Sequence, residues 1–252
     1  QSFTKDLMYY EERCTGCGMC IEVCPKKAVT RVGEKVTTNR KLCEGCGVCT
    51  DYCVNNAREI AGERYTVSQL INLAEKDRIF YEQSHGGITL SGGEVMIQNN
   101  DFIVELARKL KKKGYNIAID TCGQAPTENY ERILPYVDMF LYDVKVIDPE
   151  KHIKYIGKPN DLILKNLKFI SDNGACINIR IPVIGGVNDN EKDMKDIINW
   201  LEENEIKVYR VNLLPYHNTG SSKYSRLEIP YEGDDFYKPS KEAMEGFKKM
   251  FE

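Results

Sequence analysis

Ten cysteines stand in this chain of 252 residues, and eight of them form two copies of one spacing. The first copy is Cys14-x2-Cys17-x2-Cys20-x3-Cys24 followed by Pro25. The second, 29 positions on, is Cys43-x2-Cys46-x2-Cys49-x3-Cys53, with Val54 where the first has proline. In this spacing three thiolates hold three corners of a four-iron cubane and the fourth reaches a neighbouring cluster. The expected sets are therefore crossed: Cys14, Cys17, Cys20 and Cys53 around one [4Fe-4S] cluster, and Cys43, Cys46, Cys49 and Cys24 around the other. Gly16, Gly18, Gly45 and Gly47 let the backbone bend tightly and turn N–H groups toward the sulfurs. Structural zinc tolerates C-x2-C pairs but does not call for two further thiolates in the same short run. Disulfides need an oxidising compartment, and the sequence reads without a signal peptide or an apolar run long enough to span a bilayer.

Beyond the cysteine block lie groups of polar residues and glycines: Ser91-Gly92-Gly93-Glu94, Asp120-Thr121-Cys122-Gly123, Asp143-Val144-Lys145, Arg180-Ile181-Pro182 and Leu214-Pro215-Tyr216-His217. Singly, each has an ordinary explanation. Gly92-Gly93 makes a turn as readily as a close approach to a ligand. Asp143 and Lys145 point to one side of a strand and could form a surface ion pair. His217 could be a satisfied histidine beside a turn. Cys122 and Cys176 have no partners at ligand spacing and read as small buried hydrophobes.

The elements that must carry these groups give them a common meaning. Strand-like stretches are expected at Gly87–Leu90, Asn116–Asp120, Met139–Asp143, Ile177–Ile181 and Lys207–Leu213. Helical patterns lie between them: Phe102, Ile103, Leu106 and Leu110 closed by Gly114; Leu162 to Ile170 closed by Asn173-Gly174; and Met194, Ile197, Ile198 and Leu201. Ahead of the first strand, Thr66 and Gln69 form a capping box that opens a helix running toward about Tyr81. Strands alternating with helices predict βαβ units and a parallel sheet. Every polar group then falls at the C-terminal end of a strand, the face on which β/α barrels build active sites. The length fits one large domain or two moderate ones, and 42% hydrophobic content is enough for a core. A formal charge of -3 argues against a nucleic-acid footprint. No membrane association is expected, and exposed clusters and thiols predict a reducing, low-oxygen cytoplasm.

In order and spacing these residues resemble a known family. The cysteine block followed by Gly86-Gly87-Ile88-Thr89-Leu90-Ser91-Gly92-Gly93-Glu94, Asp120-Thr121-Cys122-Gly123, Asp143-Val144-Lys145 with Asp148 and His152, Arg180 through Asp189, and Leu213-Leu214-Pro215-Tyr216-His217 with Lys223-Tyr224 is similar to the glycyl-radical-enzyme activating enzymes of the radical S-adenosylmethionine (SAM) superfamily. The resemblance implies an α/β fold: a partial (β/α)6 barrel over 63–252 carrying an inserted α+β ferredoxin-like two-cluster domain over 1–62. It implies an oxidoreductase that reductively cleaves S-adenosyl-L-methionine to a 5'-deoxyadenosyl radical, which takes a hydrogen from a glycine of a partner glycyl radical enzyme. It implies a reduced flavodoxin or ferredoxin as electron donor. Residue by residue, Gly92, Gly93 and Glu94 resemble the motif at the amino group of the methionine moiety, and Asp120 a second contact there. Asp143 and Lys145 are similar to catalytic contacts to the cosubstrate and the partner's glycine loop, and His217 to a residue near the ribose and sulfonium. Val95 replaces the family's usual proline, and Gly185-Gly186 its commoner Pro-Gly.

The family also holds a third, catalytic [4Fe-4S] cluster by C-x3-C-x2-C in the loop after its first barrel strand. No such run occurs in this sequence; the C-x2-C-x3-C stretches belong to the block already assigned. Gln1 to Asp6 resembles the segment just downstream of that loop, and the five strands are one short of six. The expectation is a chain lacking the first strand and the catalytic-cluster motif of an intact activase. The alternative is a two-cluster electron-transfer or scaffold protein without radical chemistry.

Overall fold

Isoleucines, aromatic residues and a few small side chains alternate with polar ones through β-prone segments, and in the computed structural model, which describes residues 5–252, these become strands. Of the segment Gln1 to Asp6, likened to the region downstream of the family's cluster loop, residues 1–4 lie outside the described residues. The chain divides into two compact units. One runs to Arg64 and includes His217–Asp235; the other comprises Tyr65–Tyr216 and Phe236–Glu252.

The first unit is built on the cysteine repeat. Its elements are β1 (Asp6–Tyr9), α1 (Met19–Glu22), β2 (Val29–Val32), β3 (Lys35–Thr38), α2 (Val48–Asp51) and β4 (Arg58–Ala61). Strand β1 pairs antiparallel with β4, placing Tyr9 opposite Arg58, and β2 pairs antiparallel with β3. Leu7, Val29, Val36, Cys20 and Cys49 form its small core. So little apolar surface cannot hold such a unit firmly by burial alone, which makes it a fold suited to internal staples. Residues 217–235 contribute a short helix, Ser221–Arg226; Glu228 accepts a hydrogen bond from the Thr38 backbone (3.0 Å), and Arg226 lies over the Tyr10 ring.

The second unit opens with α3 (Val67–Lys76) and α4 (Arg78–Ser84), then β5 (Gly87–Leu90), α5 (Asn100–Lys112), β6 (Asn116–Thr121), α6 (Thr127–Ile133), β7 (Met139–Asp143), α7 (Pro149–Ile156), α8 (Asp161–Asp172), β8 (Ile177–Val183), α9 (Glu191–Glu203) and β9 (Val208–Pro215). The five strands form one parallel sheet in sequential order, β5-β6-β7-β8-β9. Sequential order is what right-handed βαβ crossovers give when each strand is laid beside the last. One face, carrying Ile117, Ile119, Phe140, Tyr142, Ile177, Ile179 and Ile181, is buried against Leu106, Leu110, Ile133, Leu167, Ile170, Met194 and Ile197 of the helices. Because side chains alternate, the opposite face receives Ala118, Asp120, Leu141, Asp143, Asn178 and Arg180, all half-buried.

The capping box at Thr66 and Gln69 is present in full. The helix it starts stops at Asp77, however, and does not continue to Tyr81; α4 begins afresh at Arg78. Asp competes with the backbone for local hydrogen bonds. Beyond it Ile79 and Phe80 are solvent-exposed, so no buried face draws the first helix onward. Helices α6, α7 and Lys241–Met250 go beyond the predicted set. The start of α7 was legible: Asp148 caps the Lys151 N–H (3.0 Å), with Pro149 in the first turn.

Candidate functional site

Two chemical centres emerge, one in each unit. In the first, the turns before α1 and α2 set the cysteines. Gly18 and Gly47 are the N-cap residues of these helices at φ +87° and +86°, left-handed backbone open to glycine at little cost. Each turn leaves one thiol exposed (Cys17, Cys46) and carries the next into the core (Cys20, Cys49). The fourth cysteines exchange places. Cys14, Cys17, Cys20 and Cys53 line one cavity, partly open to solvent. Cys24, Cys43, Cys46 and Cys49 line another. Backbone N–H groups already point at three sulfurs: Gly16 at Cys14 (3.4 Å), Ala28 at Cys24 (3.3 Å) and Ala57 at Cys53 (3.2 Å). Burial pushes the Cys49 thiol up to about 11, against the pull of the Arg58 guanidinium. Four soft donors around each cavity, with N–H groups aimed at sulfur, fit an iron–sulfur cluster.

In the second unit, the strand-end residues meet on the half-buried face of the sheet. Arg180 is the hub. Its Nε donates to Asp143 Oδ1 (2.9 Å), its Nη2 lies 2.8 Å from the same oxygen, and its Nη1 and Nη2 reach both oxygens of Asp120. Burial disfavours the charge on Arg180, but Asp143 and Asp120 outweigh it and raise its pKa. Ser91 Oγ donates to Asp120 (3.0 Å), tying the loop after β5 to the end of β6, and Lys145 Nζ lies 3.8 Å from Asp143.

Glu94 ties the same two strand ends on the other side. Its carboxylate accepts from Thr121 Oγ1 (2.7 Å), the Cys122 N–H (2.7 Å) and the Met96 N–H (3.1 Å). Gly92 and Gly93 run at φ +103° and +61°, and a Cβ at Gly92 would meet no neighbour, so backbone conformation and not crowding selects glycine at that position. Cys122 is half-buried; burial and then Glu94 push its thiol up to about 11. His217 belongs to the first compact unit, exposed, with its Nδ1 2.6 Å from Thr219 Oγ1. The structure thus assembles Gly92, Gly93, Glu94, Asp120, Asp143 and Lys145 in one unit, with Arg180 among them.

Against known proteins, residues 41–201 match the Radical SAM superfamily, and residues 7–30 match the 4Fe-4S binding domain. The chain is 52% identical, over its whole length and 83% of the relative's, to the trans-4-hydroxy-L-proline dehydratase activating enzyme of Clostridioides difficile. The chain belongs to the radical SAM superfamily, among the activating enzymes of glycyl radical enzymes. It is 40% identical, over 90% of its length and 76% of the relative's, to the choline trimethylamine-lyase activating enzyme of Oleidesulfovibrio alaskensis. A domain of pyruvate-formate lyase-activating enzyme from Bacteroides vulgatus matches in structure with a TM-score of 0.56 and 28% identity, over 66% of this chain and 92% of that one.

For this radical SAM activating enzyme, the parallel α/β sheet and the iron–sulfur character of the cysteine block are thereby accounted for. Among the described residues no helix is long and apolar enough to cross a membrane. Two residues stand out to which the sequence analysis gave no role of their own. Arg180 had a signal, its inclusion in one of the polar groups after the strands; the structure sets it within β8, in register with Asp143. Asn188 had little: buried in the loop after β8, it donates to the carbonyls of Lys145 (2.9 Å) and Pro182 (2.8 Å) and so fixes the loop that carries Lys145.

Proposed function

We propose that the chain holds two [4Fe-4S] clusters with crossed ligation, Cys14, Cys17, Cys20 and Cys53 around one and Cys24, Cys43, Cys46 and Cys49 around the other. We also propose that S-adenosyl-L-methionine lies against the strand-end face of the second unit. The observation that carries the first is the sorting of eight cysteines into two cavities, each with one cysteine from the other repeat; the second is supported by the cluster of Asp120, Asp143, Lys145 and Arg180 on one face of the sheet, within the stretch that matches the Radical SAM superfamily. The five-stranded sheet is read as part of a partial (β/α)6 barrel, and residues 1–62 as a ferredoxin-like insert. The clusters, when bound, supply electrons one at a time.

The chain's own residues then position the cosubstrate. Arg180 bridges Asp120 and Asp143 and offsets part of their charge, which lets two carboxylates share one half-buried face and keep oxygens toward an ammonium or ribose hydroxyls. Lys145 presents a partly exposed cation beside them, suited to a carboxylate. Gly92, Gly93 and Glu94 are proposed at the amino group of the methionine moiety; the three donors that Glu94 accepts from hold the Gly92-Gly93 loop against β6 and leave acceptor capacity on its carboxylate. His217 is proposed near the ribose. Cleavage of the sulfonium gives methionine and the 5'-deoxyadenosyl radical, which takes a hydrogen atom from the partner's glycine.

The partner proposed is a glycyl radical dehydratase acting on trans-4-hydroxy-L-proline, since 52% identity to that activating enzyme stands against 40% for the choline lyase one. A reduced flavodoxin or ferredoxin is the proposed donor, and a reducing cytoplasm the setting that exposed Cys17 and Cys46 call for. The test is anaerobic incubation of the protein, expressed from its complete reading frame, with S-adenosyl-L-methionine, reductant and the purified dehydratase. A glycyl radical signal by electron paramagnetic resonance, with matching 5'-deoxyadenosine, is expected. A signal with a choline lyase and none with the dehydratase would move the partner. Electron transfer without 5'-deoxyadenosine would favour the electron-carrier alternative.

A further inference from the structure

The repeat contains its own control experiment. Five residues after the last cysteine of each copy stand Val29 and Arg58, each opening a strand and each lining one of the two cavities. Val29 is 2% exposed and apolar; Arg58 is 3% exposed and charged. Arg58 lines the cavity of Cys14, Cys17, Cys20 and Cys53. Its Nη1 donates to Thr38 Oγ1 (2.9 Å) and its guanidinium lies 5.0 Å from the centre of the Tyr9 ring, while its Nη2 is buried with no hydrogen-bond partner. Among the described residues it forms no ion pair with a carboxylate. A buried guanidinium with an unused N–H donor is costly unless an anion faces it. A cubane carrying four thiolates is such an anion.

We propose that Arg58 tunes the first cluster, donating toward its sulfurs and raising its reduction potential above that of the second, so that it takes the first electron from a low-potential one-electron donor. The proposal rests on the two-cluster reading above. Reduction adds negative charge, and a fixed positive charge with an N–H donor in a low-dielectric wall stabilises the reduced form. Arg58 lines the first cavity and not the second, although its charge also reaches Cys49 of the second set, so the effect expected is a difference between the two clusters. Each set has one exposed and one buried cysteine at matching positions, so exposure does not separate them. Lys26, beside the second cavity, is exposed and paired with Glu44 at 2.8 Å, which offsets its charge. Arg31 donates to the Gly16 carbonyl (2.6 Å) in the first cluster's loop and acts in the same direction, though from solvent.

The test is a potentiometric titration of the anaerobically reconstituted 252-residue chain, followed by electron paramagnetic resonance and absorbance, with iron measured in every sample. Two one-electron couples with separate midpoints are expected. In Arg58→Met the upper couple should fall so that its reduced-to-oxidised ratio at fixed potential drops at least tenfold, about 59 mV for one electron, while the lower couple, which the Arg58 charge also reaches through Cys49, falls by clearly less. Arg58→Lys, which keeps a charge and a donor, should hold the upper couple above the lower. If Arg58→Met loses a cluster, Arg58→Lys at full iron decides: separate couples uphold the proposal and merged couples overturn it. Full iron in Arg58→Met with both couples unmoved, or both lowered equally, also overturns it. About four irons or none in the unsubstituted chain would sink the two-cluster reading itself, and this proposal with it.

Discussion

At the residue scale, the strand-end face works by pairing charges that would otherwise repel. Asp120 and Asp143 share Arg180, so a neutral side chain there would leave half-buried Asp120 without its counter-charge and Asp143 with only Lys145 at 3.8 Å. Arg180→Leu should lower stability by about 1–3 kcal/mol, less than a fully buried pair would lose because these groups are partly solvated. Chemical denaturation would read this as a lower midpoint with an unchanged slope. Glu94→Gln places an amide group where the Cys122 N–H or Thr121 hydroxyl now donates. About 1–3 kcal/mol should be lost, visible as a fall in Tm of about 2–4 °C per kcal/mol. The Cys122 thiol makes a pH-dependent prediction. With its folded pKa raised to about 11 from an ordinary value near 9, thiolate is scarce at pH 8, so alkylation should be slower than for an unfolded peptide thiol and accelerate as pH climbs toward 11. The same shift favours the folded state fully below pH 9, an advantage lost as pH rises through the folded pKa. Mass-spectrometric labelling rates across that range would check the sign.

At the scale of elements, short helices and tight turns carry the metal chemistry. Gly47→Ala puts a side chain at φ +86°, with its Cβ only in ordinary contact at 3.5 Å from Ile60 Cγ1, so the cost is one of conformation. About 1–2 kcal/mol and a measurable loss of bound iron are expected, with iron analysis per chain as the readout. Thr66→Ala removes one half of the capping box of α3 and should cost about 1 kcal/mol without touching iron content. The helices and strands of the second unit were legible because their apolar residues recur at 3.6 or 2 positions and the helices end at Gly114 and Gly174, both at positive φ. Helix α6 was not, since it is a single short element whose Tyr130 and Ile133 are buried by packing and not announced by an extended pattern.

At the scale of the whole molecule, crossed ligation predicts how single losses should group. The reconstituted chain should carry about eight irons in two four-iron clusters. Cys24→Ser and Cys49→Ser should leave the same residual spectrum, because both remove a ligand of the second cavity; Cys53→Ser and Cys20→Ser should leave the other. A Cys24 variant that matches the Cys20 variant would overturn the crossed sets.

By itself, the sequence determined the cysteine spacing, the strand and helix periods and the polar groups after each strand, because metal ligation and amphipathic burial each demand particular residue types at particular intervals. It therefore pointed to the parallel sheet, the iron–sulfur character and the enzyme family. Only the tertiary structure decided what the long-range contacts do. Arg180 reaches Asp120 across 60 positions of sequence because parallel strands bring their C-terminal ends together. Glu94, likened in sequence to a ligand contact, also accepts from the N–H and hydroxyl of the neighbouring strand end, an arrangement that spacing alone does not show. The two copies of the cysteine run look alike by spacing, and their inequality comes from what the fold sets against each cavity: Val29 beside one and the buried, unpaired end of Arg58 beside the other. Spacing records which atoms bind a metal, whereas the charge that surrounds it is gathered from distant parts of the chain.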